Sequence, residues 1–215
     1  MNHLFVKKIN AKKSVSFAEA ESLLEKQTIT NPVQVLNWKE FSYQPKVYFR
    51  IGHISNEIWL KYYVEEKHIR AVETRTNGEV YKDSCVEFFI SPDGENYYNF
   101  EFSCIGTIHL AFGSGRGNRK FVEPATVEKI EIKSTLGNKP FEAKSGHYEW
   151  EMMIRIPIES FAYSNLESFN ELKAAANFYK CGDETAVPHF VTWNPVKTES
   201  PDYHRPEFFG KVSFE

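Results

Sequence analysis

Length, composition and charge limit the class of protein. The sequence has 215 residues, enough for one domain with a large hydrophobic core. Hydrophobic residues make up 41% and charged residues 26% of the chain, which excludes collagen-like and low-complexity proteins. A net charge of −3 argues against a nucleic-acid binder, and no apolar run approaches the ~18 residues of a membrane span. We therefore expect neither nucleic acid nor a membrane as a partner.

The N-terminal region predicts one strand followed by one helix. Residues 4–9 favour a short strand. Ser16 has the character of a helix N-cap, and Glu19 follows three residues later, as in a capping box. Apolar residues then recur at helical spacing, so we predict a helix over residues 16–26. Asn31 and Pro32 mark the end of this region.

From residue 47 onward the hydrophobic pattern changes to the alternation of strands. It predicts about ten short strands separated by turn signals, which is typical of an antiparallel sandwich or barrel. The expected strands are 47–54, 58–64, 85–90, 97–104, 107–112, 127–134, 148–156, 174–180, 190–193 and 208–214, with one helical turn at 158–161. We predict an all-β fold, a single antiparallel β-sandwich of immunoglobulin-like form over residues 1–215, because neither an internal repeat nor a linker is visible.

The cysteines and the N-terminus bear on the cellular compartment. Cys85, Cys104 and Cys181 are an odd number at unrelated spacings, which favours reduced, buried thiols. A disulfide between Cys85 and Cys104 is the alternative. The apolar residues 4–6 after Met1 are too few for a signal peptide. We expect a cytoplasmic protein, or a secreted or periplasmic one if a signal was removed.

Two carboxylates interrupt strands that are otherwise apolar. Glu87 shares a strand face with Cys85 and Phe89, and Glu101 shares one with Asn99. If the two strands pair, the carboxylates can converge. A converging pair suits glycoside hydrolysis, hydrogen bonds to sugar hydroxyls, or a buried salt bridge with a nearby Arg or Lys.

Other candidate motifs are weaker. The glycine-rich run 113–120 lacks the spacing of a phosphate loop, so we expect a hairpin loop there. The seven histidines show no zinc-ligand spacing. Residues 177–210 mix aromatic, amide and charged side chains without a clear period, which indicates either a plug across one end of the sandwich or a binding surface.

Three segments, 81–90, 177–183 and 193–210, resemble carbohydrate-binding module family 9 and its DOMON-like relatives. The resemblance extends over about residues 46–215, with residues 1–45 packing on that unit. It implies a β-sandwich that holds a mono- or oligosaccharide between two aromatic rings without cleaving it, in the service of carbohydrate catabolism. Family members usually accompany glycoside hydrolases.

The resemblance also implies positions for sugar contacts. Tyr81 and Tyr203 correspond to the stacking aromatics, where tryptophan is usual, and Glu87 and Asn177 to polar anchors. Glu101 stands where the family has an arginine, so an acceptor replaces a donor. The full set implied is Tyr81, Glu87, Glu101, Asn177 and Tyr203, with Lys180 and His204 added by proximity.

The resemblance leaves a cofactor and two other functions open. It allows a structural calcium, for which Asp93, Glu95 and Asp183 are acidic candidates. One alternative function is a small glycoside-processing hydrolase that uses Glu87 with Glu101. A second is a haem domain with Met152 or Met153 as an axial ligand. A sandwich that has lost its sugar could instead serve a protein partner.

Overall fold

The computed structural model describes residues 1–12 and 14–215. This part of the chain contains fourteen strands and two α-helices. The strands are β1 His3–Lys8, β2 Asn31–Val33, β3 Val35–Leu36, β4 Lys46–Ile54, β5 Glu57–Ala71, β6 Cys85–Ser91, β7 Tyr97–Ser103, β8 Ile108–Gly113, β9 Arg119–Phe121, β10 Glu131–Ser134, β11 Phe141–Pro157, β12 Lys173–Cys181, β13 Phe190–Thr192 and β14 Gly210–Phe214. The helices are α1 Phe17–Gln27 and α2 Pro124–Val127, and single 3₁₀ turns lie at Val80–Lys82, Ile158–Ser160 and Pro206–Phe208.

The strands form two packed layers, which confirms the predicted all-β sandwich. The first sheet has the order β9-β8-β7-β6-β12-β14-β1, with β13 also paired to β12 and to β3. The second has the order β10-β11-β5-β4-β1, with β2 also paired to β4. Strand β1 belongs to both, because residues 3–6 pair with β14 and residues 7–8 pair with β4. These two pairings are parallel, so the sandwich is not wholly antiparallel as predicted.

The main core fills the space between the sheets. Phe49 of β4 stacks on Phe178 of β12 with ring centroids 3.8 Å apart. Alternate residues of β6, such as Val86 and Phe88, also point into this core. The opposite side of the same strand carries Phe89, which packs in a second apolar cluster on the outer surface of the first sheet.

Helix α1 confirms the predicted capping box. The Ser16 side chain accepts a hydrogen bond from the backbone N–H of Glu19, and the Glu19 side chain accepts from the backbone of Ser16. The buried face of the helix packs on Trp59 and Met153.

Met152 lies in the main core. Both methionines are therefore enclosed by apolar packing, and the haem alternative finds no support.

Two local predictions were wrong. Residues 127–134 do not form one strand, because a proline at the first position of α2 favours a helical turn before β10 begins at Glu131. Strand β2 was missed because it contains Pro32, and a proline is tolerated only in an edge strand such as this one. In the described residues no helix is long and apolar enough to cross a membrane.

Candidate functional site

A cavity of about 200 Å³ opens on the outer face of the first sheet. Its floor is formed by neighbouring strands β8, β7, β6 and β12, and its walls by the loops that follow β8 and β13. The side chains of the floor and of the adjoining strand β9 are Glu87, Glu101, His109, Arg119 and Cys181. The outer residues of β6 and β7 reach this cavity because side chains alternate between the two faces of a strand.

The two carboxylates of the floor lie side by side. Glu87 and Glu101 are directly opposite each other in the pairing of β6 with β7, so the convergence predicted for them occurs. Both are almost fully buried. Burial, and then the negative charge of Glu101, raise the pKa of Glu87 well above its usual range. Glu87 accepts a hydrogen bond from the Cys181 thiol at 3.0 Å.

Three buried polar atoms of the cavity lack a hydrogen-bond partner in the described residues: Glu101 Oε2, His109 Nε2 and Arg119 Nη1. Nδ1 of His109 lies 2.9 Å from the carbonyl oxygen of Gly78 and must donate to it, so Nε2 of the neutral ring is an acceptor. Arg119 Nη1 lies 4.0 Å from Glu101 Oε1, beyond hydrogen-bond distance. Buried polar groups are normally paired, so this arrangement is suited to a polar ligand.

The rim of the cavity is tied by an ion pair. Arg116, in the loop after β8, contacts Asp202 of the C-terminal loop at 2.9 Å. Nearby, the Tyr97 hydroxyl lies 2.8 Å from Nδ1 of His204. Burial and the charges of Arg119 and Arg116 lower the pKa of His204 to about 2, so the ring is neutral and shares one hydrogen bond with the tyrosine hydroxyl.

A sequence profile described as carbohydrate-binding family 9 matches residues 18–214. The chain belongs to this family. Of the solved structures, a candidate carbohydrate-binding protein from Bacteroides uniformis shares 39% identity, with 99% of both chains covered and a TM-score of 0.95. No curated protein sequence matches the chain.

Two further structures belong to a family 9 module from Caldicellulosiruptor kristjanssonii. In complex with glucose it has a TM-score of 0.61 at 10% identity, with 100% of this chain and 96% of that chain covered. In complex with cellotriose it has a TM-score of 0.59 at 10% identity, with 100% and 94% covered. At 10% identity, this structural similarity shows that the two chains share a fold.

Five of the seven positions implied by the family resemblance line the cavity: Tyr81, Glu87, Glu101, Tyr203 and His204. The two tyrosines differ in their surroundings. Tyr203 is 7% exposed and stacks on Tyr179 with ring centroids 4.0 Å apart, while its hydroxyl donates to the backbone oxygen of Lys180 at 3.1 Å. Tyr81 is partly exposed, and its hydroxyl donates to Glu79 at 2.9 Å.

Asn177 and Lys180 do not line the cavity of this family 9 chain. Asn177 donates to the backbone oxygen of Asn194 at 3.0 Å and accepts from the backbone of Asn194 at 2.8 Å, which anchors the C-terminal loop. Lys180 points into the sandwich, where its ammonium contacts Glu66 at 2.9 Å and His189 at 2.8 Å. Both side chains are fully buried.

His109 and Arg119 were missed by sequence reasoning. His109 sits directly opposite Glu101 in the pairing of β7 with β8, so the register of these strands was the signal that could have found it. Arg119 lies in the glycine-rich run that we assigned to a hairpin loop. The run does form a hairpin between β8 and β9, but its returning strand carries Arg119 to the cavity.

The candidate calcium ligands are separated in the fold. Asp93 accepts backbone hydrogen bonds from Glu95 and Asn96, both at 2.8 Å, and so closes the turn between β6 and β7. Asp183 lines the cavity instead. In the described residues neither belongs to a group of three possible metal ligands.

The cysteines are free thiols in the described chain, so the alternative of a Cys85–Cys104 disulfide was wrong. In the pairing of β6 with β7, Cys85 is opposite Ser103. In the pairing of β12 with β6 it is opposite Cys181. Cys104 belongs to the main core instead.

Proposed function

We propose that this family 9 protein binds a sugar in the cavity and does not cleave it. The observation that carries the proposal is the set of unpartnered atoms Glu101 Oε2, His109 Nε2 and Arg119 Nη1. Two acceptors and one donor match a pair of neighbouring sugar hydroxyls, each of which can both donate and accept. A bound sugar relieves the cost of leaving these buried groups unpaired.

Aromatic side chains in the walls of the cavity provide apolar contacts for the sugar ring. A pyranose ring has C–H faces that pack on aromatic rings, and the partly exposed Tyr81 offers such a surface at the cavity. Tyr203, whose ring stacks on Tyr179, forms another part of the cavity lining. A volume of about 200 Å³ is below the ~300–1,000 Å³ typical of drug-sized ligands. We infer that one sugar ring enters and that the rest of an oligosaccharide stays outside.

The ligands of the related module support this class of sugar. The Caldicellulosiruptor kristjanssonii structures hold glucose and cellotriose. We therefore take glucose and short β-glucans as the first ligands to test. The proposed role is capture of such sugars during oligosaccharide utilisation.

The geometry of the two carboxylates argues against the hydrolase alternative. Glycosidases place their carboxyl groups on either side of the scissile bond. Glu87 and Glu101 instead project from adjacent strands of one floor. Glu87 is also only 2% exposed, and it accepts a hydrogen bond from the Cys181 thiol.

Calorimetry with glucose and cellotriose tests the proposal. Glu101→Gln and Arg119→Met each remove a charged hydrogen-bonding group from the cavity. Hydrogen bonds to charged groups contribute about 1.5–3 kcal/mol, so we expect each variant to bind at least about tenfold more weakly.

The matched controls are Glu207→Gln and Arg205→Met. These residues form an ion pair with each other outside the cavity, and their variants should bind as the wild type does. Equal binding by all four variants would contradict the proposed site. Turnover of a chromogenic glycoside that is lost in Glu101→Gln would establish the hydrolase instead.

A further inference from the structure

We propose that Cys85, Glu87 and Cys181 form a binding site for a thiophilic divalent cation of the Zn²⁺ class. One ligand atom from each of the three residues lies within 4.8 Å of the other two. The register explains the grouping. Cys85 and Glu87 are two residues apart on one face of β6, and Cys181 is directly opposite Cys85 on β12.

The distances suit a tetrahedral ion after a small adjustment. Zn²⁺ binds sulfur at about 2.3 Å and carboxylate oxygen at about 2.0–2.2 Å, so two ligand atoms of a tetrahedron lie roughly 3.5–3.8 Å apart. Cys181 Sγ and Glu87 Oε1 are 3.0 Å apart, and all three ligand atoms lie within 4.8 Å of one another, so small rotations of the side chains can bring them to the spacing of a tetrahedron. Two sulfur ligands favour soft and borderline cations over calcium, which takes oxygen ligands.

The cavity supplies both access and a fourth coordination position. Glu87 and Cys181 line it, whereas Cys85 is completely buried beneath. An ion can therefore enter from the cavity side and keep one position open to water there. The thiols are not consumed in a disulfide in the described chain. Binding replaces the protons of the two thiols and of the carboxyl by the cation and releases these protons to solvent.

A second group of possible metal ligands already contains a positive charge of the protein itself. Glu21, Glu25 and Glu151 also lie together, but the ammonium of Lys61 contacts all three at 2.6–2.8 Å. That lysine already supplies the positive charge. In the described residues, no Lys or Arg forms an ion pair with Glu87, so the Cys85–Glu87–Cys181 group has no such cation.

The test uses the reduced, metal-free full chain and no sugar, so it is independent of the proposed function. Titration with Cd²⁺, followed by the ultraviolet charge-transfer absorption of a thiolate–cadmium bond, should saturate at one ion per chain. Zn²⁺ should abolish the signal by competition. We expect Cys85→Ser and Cys181→Ser each to bind at least tenfold more weakly and to show a reduced absorption, and the double variant to lose the absorption.

Cys104→Ser is the matched control, because Cys104 is an equally buried free thiol outside the cluster; its titration should match that of the wild type. Glu87→Gln, which preserves both sulfurs, should weaken Cd²⁺ binding while the near-ultraviolet circular dichroism stays native. Absence of the absorption in the wild type would overturn the proposal even if the serine variants fail to fold. So would an undiminished signal in the folded Cys85→Ser, Cys181→Ser double variant.

Discussion

At the scale of single residues, the two cavity tyrosines separate binding from folding. Tyr203 belongs to the apolar cluster of the outer face, where it stacks on Tyr179 and approaches Trp38 at 6.1 Å between ring centroids. Tyr81 packs only at the margin of that cluster. Removal of the same kind of ring should therefore have different consequences at the two positions.

Tyr203→Ala should lower the free energy of unfolding by about 3–5 kcal/mol, the usual cost of deleting a buried aromatic side chain. Tyr81→Ala should cost much less stability but should weaken binding of glucose by removing a stacking surface. Urea denaturation and calorimetry on the two variants measure these effects. Tyr203→Phe, which keeps the ring and removes only the hydroxyl bond, should cost about 1 kcal/mol. Equal stability of the two alanine variants would contradict this division of roles.

At the scale of elements, one lysine links helix α1 to the second sheet through ion pairs. Lys61 of β5 is only 3% exposed, and its ammonium contacts Glu21 and Glu25 of the helix and Glu151 of β11. These carboxylates raise the pKa of Lys61 despite the opposing effect of burial. The single positive charge of the lysine offsets part of the repulsion among the three carboxylates.

Lys61→Met should therefore lower the free energy of unfolding by about 1–2 kcal/mol, because it leaves three close carboxylates, themselves about one-third to one-half exposed, to repel one another. Lys46→Met is the control, since the Lys46–Glu65 pair at 3.4 Å is exposed on both sides and such pairs contribute about 0–1 kcal/mol. Chemical denaturation at neutral pH measures both. If Lys61→Met lowered the free energy of unfolding no more than Lys46→Met does, Lys61 would not stabilise the packing of helix α1 on the sheet.

At the scale of the whole molecule, β1 couples the two sheets. Its first four residues pair with β14 and its last two with β4. Val6 is completely buried in the main core, whereas Phe5 is 70% exposed on the same strand. A strand shared by both layers makes it costly for one sheet to open without the other.

Fluorescence and far-ultraviolet circular dichroism should therefore report one coincident unfolding transition. Val6→Ala should lower its midpoint, with a loss of about 1–3 kcal/mol, because it leaves a cavity in the core. Phe5→Ala should leave it nearly unchanged. Two separate transitions in the wild type would show that β1 does not couple the sheets.

What the sequence could predict depends on whether a feature is set by near or by distant residues in the chain. Alternation with period two located most strands and showed which neighbours share a strand face with Glu87 and with Glu101, since that periodicity is local. The order of the strands is not local, so the meeting of β12 with β6 at the cavity could not be foreseen, although the register of the neighbouring strands β7 and β8 pointed to His109. Lys180, proposed only because it lies near the other site residues in the sequence, shows the limit of that reasoning: its neighbours Tyr179 and Cys181 face outward, so alternation points Lys180 into the sandwich.

The long strand β11 has a consequence for how copies of this protein meet. Strand β10 pairs with residues 152–155 only, so in the described chain the stretch 141–149 has a strand neighbour on one side alone. Exposed edges of this kind invite another chain to add a strand. Here the backbone shifts register between residues 141 and 144 and again between 145 and 148, and the stretch carries charged residues such as Glu142, Lys144 and Glu149. Kinks and charges of this type disfavour aggregation at this long edge.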